Sequence, residues 1–149
     1  MNNEDMGLVD DGFDVPEVHT TKDFRLELLG PEHNESDHEA WMASIEHIRA
    51  TPGFDSGWPP VGGMTADENL ADLRSHAERS ARREDFAYAV LDPATREVIG
   101  CVYLKPGPPG DVRVLSWVRA DRAHRDEELT VVVTRWLAES WPFPVISYR

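Results

Sequence analysis

The sequence is short of basic residues, of cysteine and of long apolar runs, and each shortage removes a class of function. Lys and Arg number 15 against 28 Asp and Glu, for a net charge of −13. Nucleic acid and anionic membrane both require a basic face, so neither is expected as the main partner. A cationic or neutral substrate suits such a surface better. The single cysteine, Cys101, excludes an internal disulfide and fits a cytoplasmic location. It sits in an apolar strand pattern with no His or basic cluster beside it, which favours a small buried residue over a nucleophilic thiol. No apolar run reaches the length of a membrane span, and the N-terminus lacks the basic start and apolar stretch of a secretory leader. Gly-x-Ser-x-Gly and P-loop patterns are missing. His33, Asp37 and His38 cluster in sequence, but their spacing matches no metal-ligand pattern, so no metal is expected.

What is present suffices for one domain with a sizeable core, since 149 residues are too few for two comfortable ones. Residues 1–20 hold Glu4, Asp5, Asp10, Asp11, Asp14 and Glu17 and no Lys or Arg. Their apolar residues are scattered, so composition predicts an acidic disordered tail over 1–20 and a folded domain over 21–149.

The domain is organised around Asp111–Leu137. Val112, Val114, Leu115, Trp117 and Val118 give a largely buried strand over 112–118. Leu129, Val132, Val133, Trp136, Leu137 and Ser140 then recur at helical spacing on one stripe. Asp126, Glu127 and Glu128 open that helix, where backbone N–H groups favour carboxylates. Upstream, Phe24–Leu29 alternates as a half-buried strand. Ser36 and Glu39 fit a capping box that opens a helix over about 36–49, and Thr65 and Glu68 fit a second one for a helix to about Arg83, with Leu70, Leu73, Ala77 and Ala81 on its apolar face. The loop between these helices, rich in Gly and Pro, carries Phe54 and Trp58. Such a loop either lines a pocket or tucks its Trp onto the surface. Phe86–Leu91 and Val98–Leu104 form a hairpin through the Asp92–Glu97 turn, and Gly100 marks a bulge or a close backbone approach. Trp141-Pro142-Phe143-Pro144 breaks the chain before a last short strand, Val145–Tyr148.

The order is strand, helix, helix, strand, strand, strand, helix, strand, an α/β chain with a mixed sheet. In this order, and in the segments FAYAVLDPATREVIGCVYLKP, LSWVR and ELTVVVTRWL followed by WPF, the sequence resembles the GNAT superfamily of N-acetyltransferases from about Phe24 to Arg149. The resemblance implies a GNAT-like fold and transfer of an acetyl group from acetyl-CoA to a small-molecule or peptide amine. It also implies that the cofactor enters where the sheet splays, with its pantetheine arm on the backbone at the end of the 112–119 strand. Trp117, Val118 and Arg119 are the cofactor-binding candidates there.

The resemblance fails at one motif. The family's pyrophosphate loop, Q/R-x-x-G-x-G/A, uses small residues so that backbone N–H groups can close around phosphate. Starting from Arg119, Arg122 or Arg125, the small positions hold Arg122 and His124, Arg125 and Glu127, or Glu128 and Thr130, and the last glycine of the chain is Gly110. Arg122 and Arg125 are therefore the candidates for holding phosphate by side chain, against a bland reading in which they pair with neighbouring acids. No catalytic residue is assigned. Asp111 and Glu97 are the nearest carboxylates and look like turn residues, and Tyr148 falls on the strand rather than on the helix that carries the family's general acid. The family's pattern continues with a helix and two strands, so the sheet edge at Val145–Tyr148 is expected to be covered by a second copy in a homodimer. The alternative to an enzyme is a non-catalytic module of the same fold that binds a protein or small molecule.

Overall fold

The computed structural model describes residues 7–149. Its strands are β1 (Val18–Thr20), β2 (Arg25–Leu28), β3 (Phe86–Leu91), β4 (Val98–Pro106), β5 (Asp111–Val118) and β6 (Val145–Tyr148). They lie side by side in that order. The first five are antiparallel, and β6 returns parallel to β5 after helix α4 (Asp126–Ser140). Helices α1 (Asn34–Met42), α2 (Ile45–Arg49) and α3 (Ala66–Ala81) intervene between β2 and β3.

Alternation along the strands sorts side chains onto two faces. Leu26, Phe86, Tyr88, Val90, Val102, Leu104, Val112, Val114 and Val118 meet Leu129, Val133, Trp136 and Leu137 of α4. Ala87, Ala89, Leu91, Cys101, Leu115 and Trp117 meet Trp41, Ile48 and Leu73 of α1 to α3. Both faces of the central strands are covered, which is why they read as continuous apolar runs. Gly100 does both things expected of it. The register shifts beside it, between Val90 and Leu91, and a Cβ there would lie 2.5 Å from the Trp117 carbonyl oxygen.

Three expectations are corrected. Met1–Met6 lie outside the described residues, but 7–20 is no disordered tail. Val9 is buried, Leu8, Phe13 and Val15 pack on the α4 face, and β1 extends the sheet. Arg83 donates to the Asp10 and Phe13 carbonyls at 2.7 and 2.9 Å, and the Tyr88 hydroxyl donates to the Pro16 carbonyl at 2.6 Å. Composition missed this segment because its apolar residues pack one at a time, without a period. The 36–49 helix is two helices broken at Ala43 and Ser44, and its capping box does not form. Ser36 and Ser44 give their hydroxyl oxygens instead to the backbone N–H groups of Val98 and Ala120, both at 2.8 Å, satisfying donors at the ends of β4 and β5. The Thr65 and Glu68 box forms as read. The buried face of α3, however, is Asn69, Leu73 and Ser80, with Ala81 exposed.

Candidate functional site

Strands β5 and β6 pair only from Asp111 and Val145 to Val114 and Tyr148, and beyond that they part. The Arg149 N–H still reaches the Val114 carbonyl at 2.7 Å, and the Ser116 carbonyl faces the same gap. Residues 114, 116 and 118 therefore turn their backbone groups away from β4. Trp117 and Arg119 turn theirs toward it, and the Arg119 N–H donates to the Ile99 carbonyl at 2.7 Å. Of the three strand-end candidates only Val118 presents backbone to the gap. The Trp117 side chain is fully buried on the α1 to α3 face, where its Nε1 donates to the Tyr103 hydroxyl at 3.0 Å. Ser116 was overlooked; alternation from Val114 would have found it.

The gap holds one guanidinium. Arg149 donates through Nη1 to Asp126 Oδ2 at 2.7 Å and through Nη2 to the Ser116 carbonyl at 2.8 Å. Asp126 is the first residue of α4, so this ion pair spans from the strand edge to the helix N-terminus. Beside it, Tyr148 Oη and Ser116 Oγ share a hydrogen bond of 2.6 Å. The connection Ala120–Arg125 is a 3-10 turn kinked at Arg122. Each of its candidate cations faces acids: Arg119 lies 2.7 Å from Asp121, Arg122 lies 3.3 Å from Asp92, and Arg125 lies 2.7 Å from Glu128 and 3.5 Å from Asp23. The hydrogen bond from Arg122 and two backbone N–H groups hold the Asp92 carboxyl below its ordinary pKa, the Ala94 N–H contributing most.

On the other face, just past the last β5–β6 pair, Leu115 opens onto a cavity of about 310 Å³. Phe54, Trp58 and Tyr103 form its aromatic wall, with ring centroids 6.1 to 6.4 Å apart. The loop therefore lines a pocket, the first of the two readings of its Gly, Pro and Trp content. Asp72 and His76 of α3, with Lys105 of β4, add charge and polarity. His76 Nδ1 lies 2.9 Å from Arg79 Nη2, which can only donate, so Nδ1 accepts and neutral His76 carries its hydrogen on Nε2. Burial holds the His76 pKa below its ordinary value, with the Asp72 carboxylate opposing. A second cavity, of about 520 Å³, lies under residues 14–17 against α3 and has no aromatic wall.

The remaining candidates do not converge on either place. Asp111 starts β5, and Glu97 stands 3.9 Å from Arg119. Cys101 is fully buried and its thiol pKa is pushed far up by desolvation. His33 spans the Gly30 N–H and Glu27, His38 Nε2 lies 2.6 Å from the Met64 carbonyl, and Asp37 accepts from Asn69. Among the described residues no group of His, Cys, Asp and Glu is arranged to hold a metal, and no helix is long and apolar enough to cross a membrane.

No family model matches the sequence, and no curated protein does. Solved structures do. A ribosomal-protein-S5-alanine acetyltransferase from Vibrio fischeri matches with a TM-score of 0.65 at 15% identity, over 83% of this chain and 67% of its own. A GCN5-related N-acetyltransferase from Brucella melitensis gives 0.65 at 18%, over 87% of this chain and 58% of its own. The ribosomal L7/L12 α-N-protein acetyltransferase RimL, in complex with coenzyme A, gives 0.64 at 12%, over 80% and 67%. The chain thus spans about two thirds or less of each of these three. At such identities the likeness is one of fold, and the fold is that of the GNAT acetyltransferases.

Proposed function

We propose that the domain transfers an acetyl group from acetyl-CoA to the amine of a small acceptor. The observation that carries this is the parting of β5 and β6 after Val114 and Tyr148, at the level where the aromatic cavity opens beside Leu115. A strand edge for an extended acyl carrier and a pocket for an acceptor then lie on the two sides of one strand. The backbone half of the cleft offers the Val114 and Ser116 carbonyls, from which the cofactor would displace the Arg149 N–H and guanidinium. The phosphate half fits only by exchange. Arg149, Arg122 and Arg125 are donors of the right kind, and phosphates would have to replace Asp126, Asp92 and Glu128 on them. When bound, the group would supply a thioester carbonyl to an attacking amine. Asp72, 42% exposed, is the carboxylate of the cavity wall able to take the amine's proton, directly or through water.

A second reading is favoured by the same arginines. With Arg119, Arg122, Arg125 and Arg149 all paired, and Glu127 added to the first turn of α4, the phosphate region carries no surplus positive charge. A non-catalytic module of this fold would look the same. Calorimetry with acetyl-CoA separates the two readings. The enzyme reading expects binding that weakens with salt, that tightens when Asp126, Glu127 and Glu128 are made Asn, Gln and Gln, and that is lost when Arg122 and Arg125 are both made Ala. Absence of binding in the wild type and in the neutralised variant overturns the enzyme reading and favours the module.

A further inference from the structure

Among the described residues, two charges at the cavity beside Tyr103, on Lys105 and Asp72, have no closely paired counter-charge. Lys105 holds its ammonium 5.9 Å from the Tyr103 ring centroid and, among the described residues, is in no ion pair. Asp72 has one ionic neighbour, His76 Nε2, at 3.9 Å, too far for a hydrogen bond; burial lowers the pKa of that imidazole, with the Asp72 carboxylate opposing. The other cation at the rim is accounted for. Arg79 places Nε 3.1 Å from Asp85 Oδ2, Nη1 on Ser75 Oγ at 2.6 Å and Nη2 on His76 Nδ1 at 2.9 Å. One carboxylate and one ammonium therefore border an aromatic hollow, and among the described residues neither has a counter-charge in hydrogen-bonding contact.

We infer that this cavity takes a small zwitterion, an α-amino acid with a planar or apolar side chain. Its ammonium sits on Asp72 and its carboxylate on Lys105, with the side chain against Phe54, Trp58 and Leu115. Size agrees, because about 310 Å³ is at the small end of ligand cavities and suits a metabolite better than a peptide segment. Charge agrees as well. A peptide N-terminus brings the ammonium, but its first carboxyl is an amide and leaves Lys105 unmatched, while a polyamine sets a second cation against Lys105. Leaving such groups desolvated and unpaired is what a site does to reject the wrong ligand.

The inference rests on the acetyltransferase reading in naming this zwitterion as the acceptor, but its test needs no cofactor. Binding of L-phenylalanine, L-phenylalaninamide and 3-phenylpropanoate is measured by calorimetry on the protein alone. Phenylalanine is expected to bind at least about tenfold more tightly than either analogue, the ratio that ~1.4 kcal/mol represents. Lys105→Met should erase the preference over the amide and keep that over phenylpropanoate; Asp72→Asn should do the reverse. Equal binding of all three probes, no binding of phenylalanine, or preferences that survive both substitutions overturn the inference. A protein that shows this pattern but does not bind acetyl-CoA fails only as an enzyme. One that acetylates other amines and ignores phenylalanine fails only here.

Discussion

The two faces of the sheet bury rings of similar size and treat polar groups in opposite ways. On the α4 face Trp136 meets Tyr88 edge-on at 4.9 Å and Trp141 at 5.6 Å, His19 stacks on it at 4.9 Å, and Phe13, Phe86 and Phe143 close around Trp141. On the α1 to α3 face the corresponding ring, Trp41, is held by polar atoms. Its Nε1 donates to Asn69 Oδ1 at 3.0 Å, and Asn69 Nδ2 donates to Asp37 Oδ2 at 3.0 Å. Asp37 is 5% exposed, and burial pushes its carboxyl up to about 6. One face is cemented by apolar packing. The other accepts a buried carboxylate to fix α1 against α3, the helix that carries Asp72 and His76 and flanks the cavity.

The largest test of that contrast is to empty its apolar side. Trp136→Ala should cost about 3 to 5 kcal/mol, the usual range for a vacated aromatic site, read as a drop in the urea midpoint. A midpoint close to the wild type would mean that the α4 face is not the main source of stability.

The next test isolates the polar side by pH. In the unfolded chain Asp37 has an ordinary carboxylate pKa, so between about 4 and about 6 the folded state holds a proton that the unfolded state has lost. Stability from this group is therefore full below that window, falls as pH rises through it, and stays lower above it. A gap of about two pH units corresponds to about 3 kcal/mol. Acids with lowered values, such as Glu27 and Asp92, act in the opposite direction at lower pH. The readout is thus a difference. Asp37→Asn should gain on the wild type by up to about 3 kcal/mol between pH 4 and 7 in denaturant titrations, and a constant offset would show that the carboxyl titrates normally.

The smallest test touches the end of α3. Thr65→Ala removes the hydroxyl that accepts from the Glu68 N–H at 3.1 Å and should cost about 1 kcal/mol. Hydrogen exchange should show faster opening in the first turn of α3 and none in α4. Faster exchange in both helices would mean that the two faces unfold as one unit.

These contrasts also mark what was legible in the sequence. The α4 stripe, the hairpin and the Gly100 irregularity were readable because each is a local period or a local exception to one. The Thr65 cap was readable for the same reason. The sequence did not reveal where Ser36, Ser44 and Asn69 point, because a short polar side chain caps its own helix or serves a distant strand according to tertiary packing alone. The acids paired with Arg122 and Arg125 were half visible. Glu128 is three residues from Arg125, but Asp23 and Asp92 come from other elements. Phe54 and Trp58 were flagged by composition, whereas Asp72, His76 and Lys105 looked like ordinary helix and strand-end surface until the sheet brought them to one hollow.

The ion pair between Arg149 and Asp126 makes the chain a competitor for its own cleft. Any ligand that uses the Ser116 carbonyl or the helix N-terminus must first displace a guanidinium that is already there. Its apparent affinity is then its intrinsic affinity multiplied by the fraction of molecules in which the pair is open. For each ~1.4 kcal/mol by which the closed pair is favoured, that fraction falls about tenfold. Weak binding at this cleft would therefore measure the resident as much as the visitor.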